Sequence, residues 1–310
     1  PSTAIMLAVP ATLAGCQNIV LATPPGPDGL ADPAVLFIAK RLRIKQVLVA
    51  GGAQAIAAMA YGTETVPKVD KLFGPGNRFV TEAKRQASLT LDGAAMDMPA
   101  GPSEVMVVAD ESAQADFVAA DLLSQAEHGT DSQVVLLTTQ QKTAEAVISA
   151  IERLLPSLSR AAIAEQSLDH ARALVVDRID TALAIANRYA PEHLILASDQ
   201  AANWVQGIET AGSVFVGHYT PEALGDYISG TNHVLPTGGW ARVYAGLSVS
   251  DFMRRMTVQQ ATPEGIQNLG PKAGRLASHE GLGAHKLAID VRLDALSQIA
   301  SEEKAAATKP

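Results

Sequence analysis

A handful of short stretches carry residues whose types and spacing could do chemistry. In LLSQAEHG (122–129), Gln125 and His128 stand three apart at the foot of an apolar helical segment whose core side is Ala119, Leu122, Leu123 and Ala126. At i and i+3 the two side chains project together, so both could reach one ligand. Histidine is a common zinc ligand and glutamine a poor one. A surface glutamine beside a cationic histidine at a helix C-terminus is the alternative reading. In NRYAPEHLIL (187–196), Pro191 breaks a helix and delivers adjacent Glu192 and His193 to the start of a strand. Such a pair can be tuned near neutrality for acid–base work, and ends of strands in parallel sheets are where sites gather. An EH dipeptide is also commonplace. LGDYISGTNHVLPTGG (224–239) is a turn-rich segment holding Asp226, a hard oxygen donor, and His233, a ligand or substrate contact. A loop this dense in small and polar residues is more often functional than passive. SHEGLGAHK (278–286) adds His279, Glu280 and His285.

Two glycine turns could receive phosphate. AGGAQA (50–55) and FGPGNR (73–78) each lie between a strand and a helix, where free N–H groups and the helix dipole attract an anion. Neither is the G-x-G-x-x-G fingerprint, so two plain tight turns remain the alternative.

These stretches need a scaffold, and the pattern around them supplies an α/β one. From Asn18, apolar β-type runs, Gly or Pro turns and helical segments alternate, as in NIVLATPPG, ADPAVLFIAKRL, QVLVAGG and AQAIAAMAYG. This is the signature of βαβ units and a mostly parallel sheet. The turn-rich LDGAAMDMPAGPSE marks a boundary near Gly101, after which a second series (EVMVVA, QVVLLTT, ALVVD, HLILAS, SVFVG) runs to about residue 247. The expected organisation is an α/β domain over 1–101, a second over 102–247, and a helical tail over 248–310 that has too little core of its own and packs on another body. The closing AAATKP is expected to fray.

Composition agrees. A 310-residue chain that is 47% hydrophobic can fill about two domain cores. A net charge of −8 with no basic cluster argues against nucleic acid as a partner. The single cysteine, Cys16, makes no intramolecular disulfide, so the cytoplasm is the expected compartment. The apolar opening PSTAIMLAVPATLAGC is similar to a lipoprotein cleavage site but has no basic n-region, the first Lys or Arg being Lys40. It reads as an Ala/Leu helix ending near Gly15, and no apolar run is long enough to span a membrane.

Together, GGAQA, FGPGN, AGPSE, LLSQAEHG, APEHL, GDYISGTNHVLPT and EGLGAHK, in this order and spacing, resemble the histidinol dehydrogenase family over the whole chain. The resemblance implies two incomplete Rossmann-like α/β domains and a C-terminal helical tail used in dimerisation. It implies one Zn2+ per subunit on Gln125, His128, Asp226 and His285, with the tail histidine serving the partner of a homodimer. It further implies NAD at Gln54 and Asn77, and substrate contacts from Ser103, Gln125, His128, His193, Asp226, His233, Glu280 and His285. His193 is then the base that removes the alcohol proton and Glu192 the base that activates water, in a four-electron oxidation of L-histidinol to L-histidine with two NAD+ in turn. No family role falls on His170, His218 or His279. Family members usually begin well over a hundred residues earlier, and PSTAIM matches the interior of their cofactor domain. Competing readings are a related zinc/NAD dehydrogenase of another alcohol such as a sulfonated diol, a metal-dependent hydrolase, and a catalytically incomplete fragment or silent assembly module.

Overall fold

The structure, a computed structural model, describes residues 1–307. It divides into two compact units, Pro1–Arg254 and Arg255–Pro310.

The first unit opens with α1 (Ser2–Leu13), the Ala/Leu helix expected from the sequence, which buries Ala8, Pro10 and Ala11. β1 (Val20–Thr23), α2 (Pro33–Arg41) and β2 (Gln46–Val49) follow, β1 and β2 pairing in parallel. α2 shows how local sequence sets an element. Asp32 accepts from the Ala34 N–H as N-cap, Pro33 occupies the first turn, and Lys40 and Arg41 sit at the negative end of the dipole. After α3 (Gly52–Tyr61), a second parallel pair joins β3 (Lys71–Leu72) to β4 (Ala95–Met96) across α4 (Arg78–Ser88).

The remaining strands form one sheet. β5 (Glu104–Ala109), α5 (Ala115–Ala126), β6 (Gln133–Thr138), α6 (Gln141–Leu154), α7 (Ala161–Leu168), β7 (Arg172–Val175), α8 (Ile179–Tyr189), β8 (His193–Ala197), α9 (Ala201–Trp204) and β9 (Ser213–Val216) build a five-stranded, wholly parallel sheet. Its order is β7-β6-β5-β8-β9. Successive side chains of a strand face opposite ways, and both faces are covered. Val105, Val107 and Ala109 of β5 pack against Val118, Ala119 and Leu122 of α5 and Val147 of α6. Met106 and Val108 pack against Ala182, Leu183 and Ala186 of α8. The central strands β5 and β8 are buried at every position, which is why EVMVVA and HLILA read as near-continuous apolar runs.

α10 (Glu222–Tyr227) packs on α5 and closes the ordered elements that matter for the site. The second unit holds α11 (Pro263–His279) and α12 (Gly283–Ala307), with no strand among its described residues. The closing AAATKP is helical through Ala307, and its last three residues lie outside the described ones. Among the described residues no helix is long and apolar enough to cross a membrane.

Candidate active site

The chain reverses direction across the sheet between β5 and β8, the position where open α/β sheets bind ligands outside the carboxyl ends of the strands. Here that end is filled by a polar network satisfied within itself. Ser198 Oγ donates to Asp110 Oδ2 at 2.5 Å, Ser112 Oγ to Asp110 Oδ1 at 2.6 Å, and the Asp199 N–H to Ser112 Oγ at 3.0 Å. The chemistry-bearing residues gather at the opposite, amino edge. Ser103 and Glu104 begin β5, Glu192 and His193 begin β8, and α5, running back antiparallel to β5, brings its C-terminus to the same side.

Glu192 and His193 reach that edge through a strained turn. Ala190 ends α8 in the left-handed region at φ 57, because Pro191 disfavours a right-handed helical residue before it. The chain then lies against Gly212, where an added Cβ would stand 2.5 Å from the Glu192 carbonyl oxygen, so only glycine fits. The next residue's N–H, from Ser213, donates to the Glu192 carbonyl at 2.9 Å and starts the β8–β9 ladder.

Glu104 clamps both groups through its backbone. Its N–H donates to Glu192 Oε2 at 2.9 Å, and its carbonyl accepts from His193 Nδ1 at 3.1 Å. A carbonyl only accepts, so Nδ1 carries the proton and Nε2 of the neutral ring is left as a bare acceptor. Nε2 is buried, has no hydrogen-bond partner among the described residues, and stands 3.6 Å from Asp226 Oδ1, an ion-pair separation too long for a hydrogen bond.

Burial pushes the Glu192 carboxyl up to about 7, against the opposing pull of His193 and the Glu104 N–H. Burial also works against a charged His193, yet Asp226, Glu222 and Glu192 together raise it to about 9. Glu222, only 1% exposed, is pushed by burial to about 8, and its Oε2 has no partner among the described residues. His233 is lowered, first by burial, and lies within the fields of Asp226, His193 and His128. Its Nε2 is another buried atom without a partner among the described residues.

The structure brings several of the sequence-derived residues together and modifies how they meet. α5 ends at Ala126, two residues earlier than a helix through His128 would have it. Gln125 is fully buried with both amide atoms unpartnered among the described residues, whereas His128 lies past the C-cap, exposed, its Nδ1 on the Ser124 carbonyl at 2.9 Å. The two therefore do not project from one helical face. His193, Glu222 and Asp226 place three donor atoms within 4.8 Å of one another. The 231–239 segment carrying His233 is pinned to the turn at Ser103 by the Gly238 N–H on Glu104 Oε1 at 2.9 Å and by the Gly101 N–H on Thr237 Oγ1. Glu280 and His285 belong to the second unit, where both line one concavity between α11 and α12 with Leu276 and Leu282.

Of the two glycine turns, the first leaves its helix N-terminus without a side-chain cap, with Gln54 exposed in the first turn of α3. At the second, Asn77 Oδ1 accepts from the Phe79 and Val80 N–H groups, each at 3.1 Å, so those donors are not free for an anion. The expectation of open N–H groups there is corrected. What Asn77 still offers is its Nδ2 end, which has no partner among the described residues.

Glu104 and Glu222 were not singled out from the sequence. Glu222 had a signal, since a carboxylate four before Asp226 shares its face if PEALGDY is helical. Glu104 had none, because its contribution to the pair is made by backbone atoms.

The histidinol dehydrogenase family profile matches residues 1–293. The chain belongs to the histidinol dehydrogenase family. It is 58% identical over 293 residues to the histidinol dehydrogenase of Xanthomonas euvesicatoria pv. vesicatoria, covering 94% of this chain and 68% of that protein. It is 53% identical over 299 residues to that of Aliivibrio fischeri, covering 96% and 67%. The crystal structure of the Elizabethkingia anophelis histidinol dehydrogenase superposes with a TM-score of 0.92 at 52% identity, over 96% of this chain and 68% of that one. The mixed α/β fold with parallel sheets is that of the family.

Proposed function

We propose that this chain is an L-histidinol dehydrogenase of histidine biosynthesis, oxidising L-histidinol through the aldehyde to L-histidine with two NAD+, as a cytoplasmic homodimer. Beyond family membership, one observation carries the reading. A buried imidazole has its Nδ1 fixed on a carbonyl and its Nε2 free, beside a buried carboxyl raised to about 7.

The residues fit a metal. Gln125 is a fully buried amide with neither atom satisfied, a state that costs about 1–3 kcal/mol per group unless a ligand meets it. With His128 Nε2 and the Asp226 carboxylate it offers nitrogen and oxygen donors suited to zinc, and His285 of the tail is the fourth donor the family pattern gives. Zinc, when bound, would orient the imidazole and amino nitrogens of the substrate. NAD+, held near Gln54 and Asn77, would supply the hydride acceptor for each oxidation.

The chain's own residues do the rest. His193 Nε2 takes the hydroxyl proton, and the Nδ1–H bond to the Glu104 carbonyl keeps the ring in the tautomer that can do so. Glu192 takes the proton of the water that adds to the aldehyde. Its Oε2 is held at the Glu104 N–H, and burial raises its basicity into the working range. His193 then serves again for the hydrated aldehyde. Ser103, His233 and Glu280 contact the substrate in this reading.

The test is NADH formation by the purified chain with L-histidinol, with and without zinc, alongside metal analysis. Two NADH per histidinol, abolished by chelation and restored by zinc, is the expected result. Bound metal with no NADH from histidinol would refute the assigned activity.

A further inference from the structure

Away from the catalytic groups, the first unit buries an ion pair that the reaction does not use. Lys84 of α4 and Asp97, which follows β4, have side chains 4% and 1% exposed and are in direct contact. Both grip the backbone of Gly74 in the FGPGN turn, one on each of its flanking peptides. Asp97 Oδ2 accepts the Gly74 N–H at 2.7 Å, and Lys84 Nζ donates to the Gly74 carbonyl at 2.9 Å. The remaining carboxylate oxygen accepts the Met98 N–H at 2.7 Å. Register explains the meeting: Leu72 pairs with Met96, so Asp97, one residue past β4, emerges near Gly74, two residues past β3. Gly74 is held at φ +120, a conformation that L side chains rarely adopt. One turn ahead of Lys84 on α4, Thr81 Oγ1 donates to the Ala100 carbonyl at 2.6 Å, tying the same helix to the approach to Ser103.

A buried ion pair is weak stabilisation, and an apolar pair of similar volume often does as well or better. An apolar pair could not hold the N–H and the carbonyl of Gly74. We infer that Lys84 and Asp97 are positioning residues for the cofactor: by fixing the backbone on both sides of Gly74 they set where Asn77, three residues on, presents its amide to NAD+. The inference rests on the dehydrogenase reading and deepens its cofactor site.

The experiment compares the zinc-loaded full chain with the double variant Lys84→Met/Asp97→Asn, which leaves no buried charge unpaired. The readouts are NAD+ affinity by calorimetry without substrate, steady-state constants and metal content. Misplacement of a positioning group by about 1 Å costs up to about a hundredfold. The expected result is a tenfold or greater rise, on the order of 10–100-fold, in the NAD+ Kd and KM. The kcat at saturating NAD+, the KM for histidinol and the zinc content stay unchanged. A folded variant with unaltered NAD+ affinity, or one that loses kcat and histidinol KM together, overturns the inference while leaving the activity intact. Wild type that oxidises histidinol without binding NAD+ overturns the cofactor reading as well. Should the double variant not fold, amide exchange on the wild type decides. The Gly74 and Met98 amides are expected to be protected before NAD+ is added, and free exchange of Gly74 refutes the brace.

Discussion

Glu192→Gln offers the sharpest test of the division of labour between the adjacent bases. The Gln amide oxygen can still accept the Glu104 N–H, so the clamp at the start of β8 survives while the proton acceptor is lost. A base must be ionised to accept a proton from water. With its carboxyl pushed to about 7 by burial, Glu192 is about one-tenth ionised at pH 6 and about nine-tenths at pH 8. The rate of the aldehyde half-reaction, followed as NADH from L-histidinal, is therefore expected to rise about tenfold across that interval. In Glu192→Gln this limb should vanish and the half-reaction fall by roughly 10²–10⁴. Hydride removal from L-histidinol itself, which needs only His193, should stay within about threefold when a single turnover is followed. His193 titrates higher, at about 9, so a limb in that range should persist in the variant. A wild-type profile flat between pH 6 and 8, or a variant equally impaired in both half-reactions, would refute the assignment of Glu192 as the water-activating base.

Other perturbations read out neighbouring parts of the argument. His193→Asn should abolish turnover and retain zinc, since His193 is assigned to proton transfer; loss of the metal would move it into the ligand set with Glu222 and Asp226. His285→Asn should weaken zinc binding in the assembled protein, and unchanged stoichiometry would sink the tail ligand. Burial alone raises Asp121 from 3.8 to about 7, so its contribution to stability is present at low pH and lost as pH rises through about 7. Asp121→Asn should accordingly gain on wild type in metal-free urea titrations, the gap widening by about 2 kcal/mol between pH 5 and pH 8 after allowance for partial exposure. A gap independent of pH would show that this carboxylate is not desolvated. Gly212→Ala should destabilise the protein and distort Glu192, because its Cβ would meet the Glu192 carbonyl at 2.5 Å. Wild-type activity and stability in that variant would show that the turn has slack.

The alternation of apolar runs with amphipathic segments is a local property, and it determined the α/β class and the extent of β5, β6 and β8 without reference to anything distant. Family membership was equally legible, since motifs such as APEHL and GDYISGTNHVLPT are contiguous in the chain. Contiguity also limited what could be read. An i,i+3 spacing could not say where α5 stops, and the helix ends before His128, whose N–H donates to the Gln125 carbonyl and whose ring Nδ1 meets the Ser124 carbonyl. Nor could sequence order decide which end of the sheet hosts the site. That follows from packing: the carboxyl edge is closed by Asp110, Ser112 and Ser198, while antiparallel α5 carries Gln125 to the amino edge. Only folding sets Glu104 between Glu192 and His193, because β5 and β8 are neighbours in the sheet although 88 residues separate Glu104 from Glu192. The tautomer of His193, the raised carboxyls of Glu192 and Glu222, and the Lys84–Asp97 grip on Gly74 are likewise products of burial and distance. Residue types supply the groups and their ordinary acidities; the tertiary structure excludes water around them and fixes their partners, and these two effects decide what each can do.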